Sequence, residues 1–501
     1  MESTTVHTAI AFRDDVRVAF DGDSVSLASP MSTFTLRPVR PGIRTALGAL
    51  ADGGARVPDL LSGLEPAERA QFGKFLDRAG HLIVRSVSVP GRELVRLEHT
   101  ARDATYQSVE LPAGVLARLS KFAFCRSRAD VLVLESPLAK VRVLLLDRAA
   151  RELVAALGAP RTVAELSGDD LPESAVRELV GQLAGAGFVD LGTPDDGFAA
   201  DADPELRQWD FHDLLFHSRV RSGRYDDPIG GRYPHRGRIE PRPAVKTPPD
   251  GPSIELYRPS LDDVVAHEPG LTAAIEGRRS IRQYGELPMT VRELGEFLYR
   301  VARVRVHFQP DDTPAGGGDE IVGKPYPTGG SAYELELYLT VRRCAGLAQG
   351  IYYYDPVGHR LVLVNTDAAD RAAMLHEASR STGMEADPDV LITMTSRFQR
   401  LSWKYSGIAY AMTLRHTGVL YQTMYLVATA MGMAPCGLGI GNADLAARAL
   451  GLDYLRESSV GDFLLGSRPA GDLGMWREDQ GWRMVNDPSW AAWATDVLRR
   501  D

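Results

Sequence analysis

Cysteine is scarce in this 501-residue chain, which has only Cys125, Cys344 and Cys436. Three such scattered thiols make neither a disulfide framework nor a zinc site, so no metal is expected and a reducing, cytoplasmic compartment is the natural one. Long apolar runs are also lacking. None reaches the roughly 18 residues of a membrane span, and the opening MESTTVHTAIAFRDD has no basic start followed by an apolar run, so no membrane partner is expected. Positive charge is in deficit, with 57 Lys and Arg against 66 Asp and Glu and a net charge of -9. That leaves no broad basic field for nucleic acid. Proline is missing from Ser406 to Met433, and this gap marks the longest helix pattern in the chain.

What is present is enough for real cores, since 44% of the residues are apolar and a chain of this length normally divides into two or three domains. In the proline-free stretch, Ile408, Met412, Val419, Met424, Leu426, Val427 and Met431 leave little polar face. The pattern predicts a helix buried nearly all round and on the order of 40 Å long. Lys404 and Tyr405 stand at its entry, and Pro435 with Gly437, Gly439 and Gly441 is expected to end it.

The first 190 residues hold a repeat. Residues 24–84 read as a strand pair followed by helices, and residues 131–191 read the same way. Ser29 and Pro30 correspond to Ser136 and Pro137, and Ala79 and Gly80 to Ala186 and Gly187, all 107 apart. Each copy reads as a winged-helix-like module with a hairpin, three short helices and a closing strand, the first within 1–90 and the second within 91–192. Further strands are expected in SVSVPGRELVRLEHT and TYQSVELP. DNA binding is disfavoured, because the third helix of the second copy, ESAVRELVGQLAGAG, has two acidic residues and one arginine. Adding a peptide as an extra strand is one role for such a module, and a purely structural role is the other.

Residues 193–260 read as a linker, acidic in GTPDDGFAADADPE and proline-rich in RGRIEPRPAVKTPPDGP, with a short helix between. That helix holds Trp209, His212, Asp213 and His217. The two histidines are five apart and so do not share a helix face, which argues for packing and capping rather than a metal.

Four motifs follow. Arg278, Ser280 and Arg282 alternate, so in an extended segment their donors face one side and suit a phosphate, although surface strands alternate similarly. Pro327, Thr328, Gly329, Gly330 and Ser331 make a turn whose glycines let the backbone approach something flat, or a plain hairpin loop. PCGLGIG follows the long helix, and FLLGSRPAGD brings Arg468.

In order and spacing these motifs resemble the flavin-dependent nitroreductase superfamily, and within it the SagB-type dehydrogenases, the azoline oxidases of thiazole and oxazole peptide biosynthesis. The resemblance covers about residues 205–485 and, more loosely, the two modules. It implies an α+β chain with an FMN-binding nitroreductase-like domain at 261–501. In the family, the arginine, serine and arginine bind the FMN phosphate and ribityl chain, and the proline turn lines the ring. Lys404 and Tyr405 match its catalytic pair, Gly437, Leu438 and Gly439 its glycine segment, and Gly466 with Arg468 its closing motif. Thr328 stands where serine is usual, and Ala411 where arginine often follows the tyrosine.

The resemblance further implies a homodimer with FMN at the subunit interface and a ribosomal precursor peptide as substrate. The modules would hold its leader, and a cyclodehydratase is a possible partner. An azoline becomes an azole by losing a proton from one ring carbon and a hydride from its neighbour. Lys404 and Tyr405 are the candidates for proton abstraction and charge stabilisation, with dioxygen reoxidising FMN. The rivals are a general NAD(P)H-dependent nitroreductase or flavin reductase, and a non-catalytic leader-peptide scaffold.

Overall fold

The computed structural model describes residues 6–29, 33–225, 227–309, 319–384, 386–470 and 485–499, so Pro30, Gly471 and Asp472 lie outside the described residues. The chain forms two compact units, Met1–Gly230 and Gly231–Asp501. No helix among the described residues is long and apolar enough to cross a membrane.

The first unit begins with β1 (His7–Phe12), β2 (Arg17–Asp21), β3 (Ser24–Ala28), β4 (Thr33–Leu36), α1 (Pro41–Ala51), α2 (Val57–Ser62), α3 (Pro66–Ala79), β5 (Ile83–Val89) and β6 (Arg92–His99). A similar run follows: β7 (Leu116–Leu119), β8 (Phe124–Arg128), β9 (Val131–Glu135), β10 (Val141–Leu145), α4 (Arg148–Ala156), α5 (Val163–Leu166), α6 (Glu173–Gly185) and β11 (Val189–Thr193). β12 (Gly197–Phe198), α7 (Ala199–Ala202) and α8 (Phe211–Arg219) complete it. Ser24 and Val131, Pro41 and Arg148, and Pro66 and Glu173 open matching elements and lie 107 apart.

The helices form because their apolar residues fall on one stripe. Ile43, Leu47 and Leu50 of α1 share a core with Phe72 and Phe75 of α3, whose rings stack at 5.9 Å. Leu153 and Val154 of α4 do the same with Leu179, Val180 and Leu183 of α6. Each such side chain contributes about 1.5–3 kcal/mol when fully buried.

The closing strands do not join their own hairpins: β5 pairs with β1 and β6, and β11 with β7 and β12. β10 takes β6 as its neighbour, giving one sheet in the order β1-β5-β6-β10-β9-β8. Residues 105–112, expected to hold a strand, have none. They lie on α6 instead, where Val109 N–H donates to the Gly181 carbonyl. A Cβ on Gly185 would stand 1.8 Å from the Gln107 carbonyl oxygen, so the contact demands glycine.

β6 ends in His99, which meets the Tyr106 ring edge-on at 6.0 Å. Burial, and then the Arg85 charge, pushes its imidazole down from 6.5 to about 4. Such a depressed histidine stabilises the fold above pH 6.5. As pH falls from there toward 4, the unfolded chain takes the proton that the folded chain refuses, and about 3 kcal/mol is lost. We expect His99→Leu to remove much of the acid sensitivity of amide protection across residues 83–99, read by hydrogen exchange at pH 7 and pH 5.

The second unit contains β13 (Ser253–Glu255), α9 (Leu261–His267), α10 (Leu271–Gly277), α11 (Val291–Ala302), β14 (Val306–Phe308), β15 (Ile321–Gly323), β16 (Leu335–Val341), β17 (Gly350–Asp355) and β18 (Arg360–Asn365). α12 (Ala368–Arg380), β19 (Val390–Arg397), α13 (Gln399–Ser402), α14 (Ala409–Ala430), β20 (Met433–Leu438), α15 (Ala443–Leu450), β21 (Glu457–Ser467) and α16 (Ser489–Leu498) follow. Its antiparallel sheet has the order β13-β18-β17-β16-β19-β21-β20. Every residue of β16 and β19 is buried, because both faces are covered. Leu335, Leu337, Leu339 and Val341 pack with α11 and α14, while the alternate Tyr338 packs with α12 and α15.

Two expectations need correcting. The stretch read as a linker divides at the unit boundary, and from Gly231 onward it belongs to the second unit. Arg397 donates to the carbonyls of Pro243 and Ala244, Arg400 to that of Arg242, and the Trp403 indole to that of Ile239, at 2.6 to 2.8 Å. These bonds give a proline-rich backbone partners without a sheet. The long helix is shorter than expected, about 33 Å at 1.5 Å per residue. Gly432, at φ 68°, ends it, whereas Pro435 and Gly437 lie in β20, an edge strand where a missing N–H is tolerated. Nor is α14 buried all round: Tyr410 is 48% and Leu414 41% exposed.

Candidate active site

Arg278, Ser280 and Arg282 lie in the extended stretch between α10 and α11, with Ser280 and Arg282 exposed. Tyr425 of α14 organises them. Its hydroxyl is 2.7 Å from Ser280 Oγ, its ring centre is 5.2 Å from the Arg278 guanidinium, and it accepts the Gly437 N–H at 2.7 Å. Ile281 N–H donates to the Pro435 carbonyl at 2.8 Å. Arg278, Ser280 and Gly437 are thus joined through a tyrosine that the sequence reading passed over; its signal was an aromatic hydroxyl in the mostly apolar last turns of the helix. Leu438 accepts from the Tyr421 hydroxyl at 2.9 Å, and a Cβ on Gly439 would meet open space. Beyond β21, the Arg468 carbonyl oxygen stands 3.0 Å from where a Cβ on Gly285 would be, next to the clamp stretch. Burial pushes the neighbouring Cys436 thiol up, and Arg282 opposes the shift.

Pro327 and Thr328 lead into the turn Gly329–Ser331, and Thr328 Oγ1 accepts the Tyr333 N–H at 3.3 Å. Gly330 has φ 60°, which glycine takes freely, and Ser331 φ 51°, which needs support from the surroundings of the turn. Lys404 and Tyr405 supply it from one side. A Cβ on Gly330 would lie 2.3 Å from Tyr405 Oη and 3.1 Å from Lys404 Nζ. Lys404 Nζ is 3.4 Å from both Asp319 Oδ2 and the Gly330 carbonyl, and 5.7 Å from the Tyr233 ring centre. A cleft of about 60 Å³ opens here, lined by Gly330, Lys404, Trp403, Arg400, Asp319 and Pro243. Neither Asp319 nor Tyr233 was read from the sequence, because both reach Lys404 from distant loops.

The other side of the turn rests on α14. A Cβ on Gly329 would meet Met412 Cε at 2.2 Å, and Gly329 N–H donates to His416 Nε2 at 2.8 Å. His416 and Tyr425 are nine residues apart on this helix, which places them about half a turn round and roughly 13 Å along it. The structure therefore gathers two groups, the clamp with the glycine segment and the turn with Lys404 and Tyr405, on different faces of α14. Ala411 is 5% exposed, so an arginine there would need room that this chain does not give. In the first unit, Asp210, His212 and Asp213 bring ligand atoms within 4.8 Å, all exposed, and His217 stacks on Trp209 at 5.7 Å.

Residues 275–466 match the nitroreductase family model. The second unit carries a nitroreductase-family domain. The chain is accordingly an oxidoreductase. Residues 117–226 match the model of the cyanobactin oxidase ThcOx, and the two matches on one chain bear out the resemblance to the azoline oxidases. A relative from Methanocaldococcus jannaschii, provisionally named a nitroreductase, is 26% identical over 189 residues, 38% of this chain and 85% of its own length. The microcin B17-processing protein McbC of Escherichia coli is 30% identical over 121 residues, 22% of this chain and 42% of its own. The match thus spans less than half of McbC. Among solved structures, a chain of the Escherichia coli microcin synthetase McbBCD complex with truncated pro-MccB17 is 21% identical, with a TM-score of 0.31 over 39% of this chain and 71% of that one. A provisionally named nitroreductase from Ralstonia eutropha is 19% identical, with a TM-score of 0.34 over 49% of this chain and all of its own. Scores at that level decide nothing about what the nitroreductase domain acts on.

Proposed function

We propose that this protein is an FMN-dependent azoline oxidase that converts thiazoline or oxazoline rings of a ribosomally made peptide to azoles. The observation that carries the reading is the packing of Lys404 and Tyr405 against Gly330 in the nitroreductase domain. The donors present suit FMN: Arg278, Ser280 and Arg282 offer two guanidiniums and a hydroxyl for a phosphate. At the turn, a Cβ on Gly329 or Gly330 would fill the space that close backbone approach needs. Bound there, FMN would supply an acceptor for the hydride of the ring carbon, with dioxygen as the final oxidant.

Lys404 and Tyr405 stand on one side of the turn, so one can take the neighbouring ring proton while the other stabilises the charge that develops. Asp319 holds Lys404 in place. The match of residues 117–226 to the cyanobactin oxidase model supports the first unit as the holder of the peptide leader, which would raise the local concentration of each ring. A cyclodehydratase that supplies the azoline belongs to the same reading. So does a homodimer, supported by the exposed Leu261, Val265, Leu271, Tyr410 and Leu414 and by the division of the site between two faces of α14. Three free cysteines fit operation in the cytoplasm.

The test is the visible spectrum of the purified protein and the mass of whatever it releases on denaturation. A yellow protein that releases FMN and aromatises an azoline peptide is expected. A colourless protein that takes up no added FMN would leave the leader-peptide scaffold as the better account.

A further inference from the structure

One buried polar pair is not used by the steps above. Glu334 is fully buried just before β16, and His416 is 6% exposed within α14. Glu334 Oε1 lies 2.8 Å from His416 Nδ1, and His416 Nε2 takes the Gly329 N–H at 2.8 Å. A backbone amide can only donate, so Nε2 must present its lone pair, and the ring proton then sits on Nδ1, facing the carboxylate. The two bonds together select one tautomer of a neutral imidazole. The second carboxylate oxygen of Glu334 is buried without a hydrogen-bond partner among the described residues, so the bond to His416 is the one that orients the carboxylate, while the Lys324 and Arg400 charges act on it from further off.

We propose that Glu334 and His416 form a positioning relay that sets where the Gly329–Gly330 turn stands against the flavin ring and the Lys404–Tyr405 pair, an inference that rests on the flavin-oxidase reading. His416 braces Gly329 from the α14 side, and Lys404 and Tyr405 bear on Gly330. Gly330 takes its left-handed backbone freely, but Ser331 beside it is also left-handed, a conformation that a residue with a side chain holds only while its surroundings over-determine it. Withdrawing the acceptor from Gly329 leaves its half-buried amide unpaired, and the turn moves to find another partner.

Two substitutions separate the relay from simple space filling. His416→Gln keeps an acceptor near the position of Nε2, whereas His416→Asn keeps a donor near Nδ1 and withdraws the acceptor. Both are made in the full-length protein and read in two ways: by amide hydrogen exchange at Gly329 without flavin, and by FMN affinity with the flavin absorption spectrum. We expect the asparagine variant to exchange about tenfold faster at Gly329, to bind FMN about tenfold more weakly and to shift the flavin absorption maximum. The glutamine variant should stay within about threefold of the parent in all of these. Glu334→Gln reads the same relay if the asparagine variant does not fold, and is expected to raise Gly329 exchange by about threefold. Equal changes in the two histidine variants, or no change in exchange for any variant, overturn the relay. Relay-dependent exchange in a parent protein that takes up no FMN overturns the flavin reading, and with it the relay's part in the reaction.

Discussion

Replacing Lys404 by alanine or Tyr405 by phenylalanine is expected to leave FMN bound and to lower azole formation about 10²- to 10⁴-fold, the usual contribution of a placed proton-transfer group. The alanine variant should be the more damaged of the two. It removes the cation that stands at the turn and leaves the Asp319 carboxylate, 19% exposed beside the cleft, balanced only by Arg236 at 3.3 Å, so less positive charge is left to stabilise anionic character on the ring. The phenylalanine variant removes one oxygen and keeps the ring against Gly330. Stopped-flow reduction of the bound flavin by an azoline peptide separates this loss from slow product release. If both variants reduce flavin within twofold of the parent, the pair is a brace for the turn and another residue moves the proton.

Arg278→Ala and Arg282→Ala are each expected to weaken FMN about 10- to 150-fold. That is the size of a charge-assisted hydrogen bond of about 1.5–3 kcal/mol. Riboflavin is the control, because it has the same ring and ribityl chain without the phosphate. Its affinity should be nearly unmoved, and the gap between the two ligands should narrow as salt is raised, since the stretch is open to solvent at Ser280 and Arg282. Arg278 packs on the Tyr425 ring, so its loss also loosens the joint between the clamp and Gly437. Equal weakening of FMN and riboflavin by Arg282→Ala would mean that the arginine shapes the fold and does not hold a phosphate.

Much of the architecture could be read ahead of the structure because it is written in local periodicity. The 107-residue repeat follows from apolar spacing and turn residues in each copy, and the strands on either side of Asp355 from alternation around a turn. What was missed depends on contacts between distant residues. Nothing near Asp319 says that Lys404 will lie beside it, and nothing in a proline-rich stretch says that Arg397 and Arg400 will take its carbonyls. The burial of α14 was overestimated because composition counts apolar residues but cannot say which face of a helix lacks a neighbour. Tyr425 and His416 escaped for the reverse reason: each is a polar group inside an apolar pattern, and its meaning comes from a partner far along the chain, Ser280 for the tyrosine and the Gly329 amide for the histidine.

β6, which follows the closing strand of the first copy, fills the edge of β10 in the second, and the turn at Pro90 and Gly91 joins it to β5. What reads along the sequence as a duplication is, in space, a splice. No cut between the copies leaves both sheets whole, because a break near residue 90 parts two paired strands. The two copies share one six-stranded sheet and are expected to melt together rather than one at a time.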